Sequence, residues 1–252
     1  MAALMVTGPR SGAIVYNHYN STGDASWTQK DPSANFIMRF SFDDTVAAPK
    51  RRAAKGRGDH VVAGCLHLSD CTAELQAALD SGAGQVIVPR LPGGRPWLLS
   101  TQPAPSAAVS AALVGGSATG DHTAALYLRS DQQLLLRSGV VLEAKRGSFT
   151  GLEAGLITAA GVTNVSVVAE GSGAELRMHK MDYVNSTLGY PPSPDRMGIT
   201  LSNVSGIELR GLTVSSSGGD GIYMAGVVGG YFADLTLDNH YRQGIHLSII
   251  SF

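Results

Sequence analysis

A four-residue pattern that returns at a fixed step limits what this chain can fold into more than any other feature. Gly198-Ile199-Thr200-Leu201, Gly221-Ile222-Tyr223-Met224 and Gly244-Ile245-His246-Leu247 begin 23 residues apart. Ile207-Glu208-Leu209 and Leu212-Thr213-Val214 are related to Gly230-Tyr231-Phe232 and Leu235-Thr236-Leu237 by the same step. Each unit therefore carries about three short strands separated by turn residues.

A unit this short cannot bury its apolar face alone, so each strand must stack on its counterpart in the next unit, and the result is a solenoid. A leucine-rich repeat has a similar length, but its leucine and asparagine pattern is absent. Gly, Asn and Ser at the corners predict a parallel β-helix instead. An earlier turn reads Leu156-Ile157-Thr158 with Val165-Ser166-Val167. Val165 then pairs with Ile207, provided that residues 178–197 are an inserted loop.

Composition fits this architecture: the 252 residues include 31 glycines and only 15% charged residues, which suits tight turns and neutral stacked strands. A net charge of -1 provides no global field for nucleic acid or an anionic membrane. No stretch approaches the roughly 20 apolar residues that cross a bilayer. Gly8-Pro9-Arg10 interrupts the place where a secretory signal needs an apolar run, so no signal is evident. Residues 1–60 have no period and include the basic run from Lys50 to Gly58, so they are expected to form an irregular extension before a solenoid at 61–252.

Order begins with a short amphipathic entry helix over about residues 70–81, where Leu75, Ala78 and Leu79 share a face, Asp70 or Thr72 caps the first turn, and Gly82 and Gly84 end it. A strand at Gln85-Val86-Ile87-Val88 and a turn at Pro92-Gly93-Gly94 follow, with Trp97 expected in the core. Cys65 and Cys71, with His67 between them, leave three readings open: a disulfide, free thiols or metal ligands. A metal is the weakest of these, because zinc sites use four ligands in recognisable pairs. Asn-x-Ser/Thr sequons stand at Asn20, Asn164, Asn185 and Asn203, and Asn164 and Asn203 fall where a turn favours Asn anyway.

The repeat also places side chains in columns, since stacked strands lie about 4.8 Å apart and alternate inward and outward. Ile199, Ile222 and Ile245 should stack inside, and Thr200, Tyr223 and His246 outside. Just before them lie the columns Arg196, Gly219, Arg242 and Met197, Asp220, Gln243. Asp220 is thus expected between two guanidinium groups, close to His246 and His240, with the inserted loop and its Tyr183 and Tyr190 as one wall. Arg binds sugar carboxylates in a bidentate fashion and Tyr stacks on sugar rings, so this constellation predicts a polysaccharide site. Its expected catalytic groups are Asp220, Arg242, His246 and His240, and its expected substrate contacts are Arg196, Tyr223, Tyr241, Gln243 and Tyr190. Asp before Gly also shapes turns, and that purely structural role competes for Asp220.

Together these features resemble the pectin-lyase-like right-handed parallel β-helix family. The resemblance covers residues 68–252 and rests on Asp70 to Asp80, Gln85 to Pro89, Leu128 to Leu134 with Ser138 to Ala144, and Tyr241-Arg242-Gln243-Gly244-Ile245. It implies an all-β, right-handed parallel β-helix, an extracellular location, and action on uronate-containing polysaccharide. If the reaction is β-elimination, Arg242 or His246 is the expected base and Asp220 a calcium ligand. Hydrolysis requires at least two carboxylates. Asp220 resembles the aspartate of the family's Asn-Thr-Asp-Gly hydrolase motif, but Gly218-Gly219 replace Asn-Thr, and the family's Asp-Asp pair is missing at 241–244. The alternative is a non-catalytic glycan-binding or structural, adhesive module. Because the repeat stops in mid-turn at Phe252, further coils or self-association are expected at that end.

Overall fold

A computed structural model describes residues 37–40, 60–113, 122–171 and 173–251, with side chains left undescribed at 37–40 and 248–251. The described residues are mostly β and their sheets are largely parallel, as in a solenoid. The sequon at Asn20 and the basic run lie outside the described residues. Of the extension only Ile37–Phe40 and His60 are described, and Ile37–Phe40 is a strand, antiparallel to Leu235–Asp238, rather than irregular chain.

Three ladders carry the repeat. In the first, Leu126, Ile157, Ile199, Ile222 and Ile245 are successive partners. In the second, Leu134 pairs with Val167, which pairs with Leu209, and Val165 pairs with Ile207 as the spacing requires. In the third, Trp97, Leu142, Leu176, Val214 and Leu237 form an unbroken stack. The strand Ile222–Ala233 runs through the corner between the first two ladders and joins them into one sheet.

Inward positions of all three ladders meet in one apolar core. Ile199, Ile222, Leu142, Leu176 and Trp97 are fully buried, each worth about 1.5–3 kcal/mol of transfer free energy for the aliphatic side chains. Trp97 donates its indole N–H to the Pro89 carbonyl at 2.9 Å, which settles it in the core. Corner residues in left-handed backbone recur one repeat apart: Asn203 and Gly226, Gly211 and Asp234, Ser216 and Asn239. Asn and Asp tolerate this conformation better than other side chains, so a strand can turn there without losing the register.

The entry helix runs over Thr72–Asp80 and buries Leu75, Ala78 and Leu79. Asp70 accepts from the Thr72 N–H at 3.1 Å and from Ser100 Oγ at 2.5 Å. The helix also protects a sheet edge. Gln76 donates to the Tyr127 carbonyl and accepts from the Tyr127 N–H, at 3.1 and 2.9 Å, and so replaces a missing strand partner. A second helix, Ala107–Ala112, was not legible in the sequence; Ser106 caps it by accepting from the Val109 N–H. Cys65 and Cys71 form a disulfide that ties the preceding segment to the first turn of the entry helix. Both sulfurs are thereby used, and the metal-ligand reading of Cys65, His67 and Cys71 falls away.

The candidate functional site

The outer face of the first ladder bears a cavity of about 350 Å³. Its floor follows the outward column Tyr127, Thr158, Thr200, Tyr223 and His246, whose members are register partners. Strand alternation alone puts these five side chains on one face. Tyr223 and His246 lie with ring centroids 5.2 Å apart. Gly155 keeps the floor open, because a Cβ there would stand 3.1 Å from Thr158 Oγ1 and 3.4 Å from Thr200 Oγ1.

One end of the cavity is built around Arg242. Its Nη1 donates to Asp195 Oδ1 at 2.8 Å, its Nη2 lies 3.3 Å from His246 Nδ1, and its Nε is 3.4 Å from Asp220 Oδ1. Asp220 is completely buried and accepts the Gln243 N–H at 3.1 Å; its Oδ2 lies 3.6 Å from His246 Nδ1. Burial raises the Asp220 pKa to about 6, with Arg242 and the Gln243 N–H pulling it down and Asp195 adding to the rise. Burial, and then the Arg242 charge, lowers the pKa of His246 and favours neutral imidazole. When the ring accepts from Arg242 through Nδ1, its proton resides on Nε2; when Nδ1 carries the proton and turns it to Asp220 Oδ2, Nε2 is the free acceptor.

The other end holds a pair that no motif announced. Glu153 Oε2 and His122 Nδ1 are 2.6 Å apart, on adjacent strands where the two residues are register partners. Glu153 is buried and His122 is half-buried, and both line the cavity with Thr123. Tyr127 sits nearby, its phenol pushed up to about 12 by burial. Asp195, at the Arg242 end, was also missed. It lies in the inserted loop, one residue before the column of Arg196, Gly219 and Arg242, and no motif marked it.

Several expected site residues lie elsewhere. Arg196 is fully buried and points away from Asp220: it donates to the carbonyls of Phe149 and Pro191, each at 2.8 Å, and lies over the rings of Tyr183 and Tyr190. A buried guanidinium needs acceptors for its five N–H groups, and the loop carbonyls supply them. Tyr190 packs edge-on against Tyr183 and accepts from the Gly147 N–H at 2.6 Å, so it fastens the loop and does not wall the cavity. His240 is buried against Ser217 Oγ at 2.7 Å, and burial together with Lys180 lowers its pKa to about 3. It stays neutral and does not reach the cavity. Tyr241 and Gln243 are absent from the lining, and Gln243 contributes only its backbone.

Asp220 also lies behind the wall, where it positions Arg242 and His246. Calcium prefers six to eight oxygen ligands, so a carboxylate enclosed by a guanidinium and an imidazole does not suit it. Among the described residues no group of three or more His, Cys, Asp or Glu side chains is placed to hold a metal. Among them, too, no helix is long and apolar enough to cross a membrane. Comparison with protein-family models, curated proteins and solved structures returned no match.

Proposed function

We propose that the chain is a right-handed parallel β-helix of the pectin-lyase-like kind, and that its cavity cleaves uronate-containing polysaccharide by metal-independent β-elimination. The observation that carries this reading is the 3.3 Å contact between Arg242 Nη2 and His246 Nδ1 at the cavity wall. Elimination needs a cation on the uronate carboxylate and a base at the adjacent carbon, and these two groups meet that requirement side by side.

Arg242 uses one N–H of Nη1 on Asp195 and directs one of Nη2 toward His246, which leaves the second hydrogen of each nitrogen for a substrate carboxylate. Pairing with that carboxylate acidifies the C5 proton. In the tautomer whose Nδ1–H faces Asp220 Oδ2, His246 is neutral at pH 7 and its free Nε2 removes the proton; C4=C5 forms as the C4–O bond breaks, and the Tyr223 phenol protonates the departing oxygen. Asp220 stabilises the imidazolium that forms and holds Arg242 in place. The disulfide between Cys65 and Cys71 fits an oxidising, extracellular setting.

Hydrolysis is the second reading, favoured by Glu153 and Asp195, two carboxylates that both line the cavity. Incubation with uronate polymers and a chelator separates the readings. Elimination gives ultraviolet absorbance from unsaturated ends; hydrolysis gives new reducing ends without that absorbance. Neither signal leaves a glycan-binding or structural module.

A further inference from the structure

Three of the Asn-x-Ser/Thr sequons fall within the described residues, and the fold treats them differently. Asn164-Val165-Ser166 and Asn203-Val204-Ser205 lead into strands that are paired on both sides: Ser166 faces Gln133 and Glu208, and Ser205 faces Thr163 and Val228. Asn164 and Asn203 stand at the corners in left-handed backbone, with φ of 52° and 53°. Their Nδ2 groups are engaged, Asn164 donating to Asp131 Oδ1 at 2.8 Å and Asn203 to the Ala112 carbonyl at 2.9 Å. Ser166 is buried, and a Cβ at Gly226 would clash with Asn203 Oδ1, so the neighbouring coil packs directly on that side chain.

Asn185-Ser186-Thr187 is built otherwise. The run 185–189 is exposed throughout, between the buried Tyr183 and Tyr190. A Cβ at Gly189 would meet nothing within 4 Å, so the space beside the sequon is open. Asn185 Oδ1 accepts from the Thr187 N–H at 3.0 Å and from Thr187 Oγ1 at 2.8 Å, which closes an Asx-turn. Both bonds end on Oδ1, so the turn does not consume Nδ2, the atom that takes a sugar. Such a turn is local and needs no tertiary partner. It forms in a chain that has not yet folded, when transfer takes place, and it persists on the finished surface. The corner conformations of Asn164 and Asn203 depend instead on stacked coils.

We propose that Asn185 is an N-glycosylation site, and that it alone of these three sequons carries an oligosaccharide in the folded protein. Asn185 Nδ2 bonds to C1 of an oligosaccharide held on a lipid diphosphate. The C1–O bond breaks, the diphosphate oxygen keeps its electron pair, and Nδ2 gives one proton to a base of the transferase. The Cys65–Cys71 disulfide fits the oxidising compartment in which this transfer occurs. A sugar on Asn164 or Asn203 would intrude where the next coil packs, so chains modified there do not complete the stack. The site is independent of the reaction assigned to the cavity.

The test makes the full chain behind a cleavable secretion leader in a eukaryotic host. An amidase then releases N-glycans in heavy-oxygen water, which turns each formerly glycosylated Asn into a labelled Asp, and peptide mass spectrometry reads the sequons separately. The secreted wild-type protein is expected to carry label at Asn185 and none at Asn164 or Asn203. Thr187→Ala should lose the Asn185 label completely, and Thr187→Ser should keep it. An unlabelled Asn185 overturns the proposal, as does label at Asn164 or Asn203 in protein that melts cooperatively. If Thr187→Ala is not secreted, the wild-type map and Thr187→Ser decide. The same preparation is assayed on uronate polymers: absence of unsaturated ends defeats elimination and leaves the glycan assignment standing.

Discussion

Arg242 Nη2 lies 3.3 Å from His246 Nδ1, and both side chains rest on the buried carboxylate of Asp220, at 3.4 and 3.6 Å. A cation, an imidazole and an anion thus share one corner of the coil. Such an arrangement is costly for a fold to maintain and gains its value when a ligand arrives.

His246→Ala is expected to lower the rate of unsaturated-end formation by about 10²–10⁴-fold while the melting temperature stays near wild type. The base must be neutral, and its pKa lies below the ordinary imidazole value. Activity therefore rises with pH through a limb below pH 6.5, and a limb at or above that value would contradict the assignment.

Asp220 gives a stability test. Its folded-state pKa of about 6 exceeds the ordinary 3.8, so the fold binds this proton more tightly than the unfolded chain does. The associated stabilisation is full below pH 3.8 and is lost as pH rises through about 6, a change of about 3 kcal/mol. Denaturant titrations of wild type and Asp220→Asn should therefore differ by an amount that shifts in favour of wild type as pH falls from 7 to 4. A difference constant with pH refutes burial as the cause.

Arg196→Met should destabilise by about 2–4 kcal/mol, because the Phe149 and Pro191 carbonyls lose their donor. Since the guanidinium does not reach the cavity, KM measured where the variant is still folded should match wild type. A rise in KM alone would restore Arg196 to the substrate site.

Reduction of the Cys65–Cys71 bridge releases a short loop, for which chain entropy predicts a loss of about 2 kcal/mol. For a chain of this size that corresponds to a fall in melting temperature of roughly 4–8 °C. Calorimetry with and without reductant measures it; an unchanged transition would show that the bridge closes only a region already frayed.

Much of this architecture was legible because the register is periodic. The 23-residue step put Ile199, Ile222 and Ile245 in one inward column and Thr200, Tyr223 and His246 in one outward column, and the register pairs them so. The same step brought Arg242 next to Asp220. The step also gave Arg196 a column but not the direction of its side chain, which loop carbonyls decide, and it singled out nothing at Asp195 in the inserted segment. Gly219 marks how tightly that segment packs: a Cβ there would stand 2.5 Å from the Pro194 carbonyl oxygen.

The sequence by itself determined which strands are neighbours and which residues face outward, because hydrophobic alternation and a constant repeat length admit only one stacking register. Only the tertiary structure decided which polar side chains share the cavity. Arg196 and Arg242 occupy one column, yet carbonyls of the folded loop capture the first and carboxylates hold the second at the wall. Glu153 and His122 meet across strands from segments with no common motif. A repeat length fixes backbone positions. Where a long flexible side chain then points depends on which acceptors the surrounding loops bring within reach.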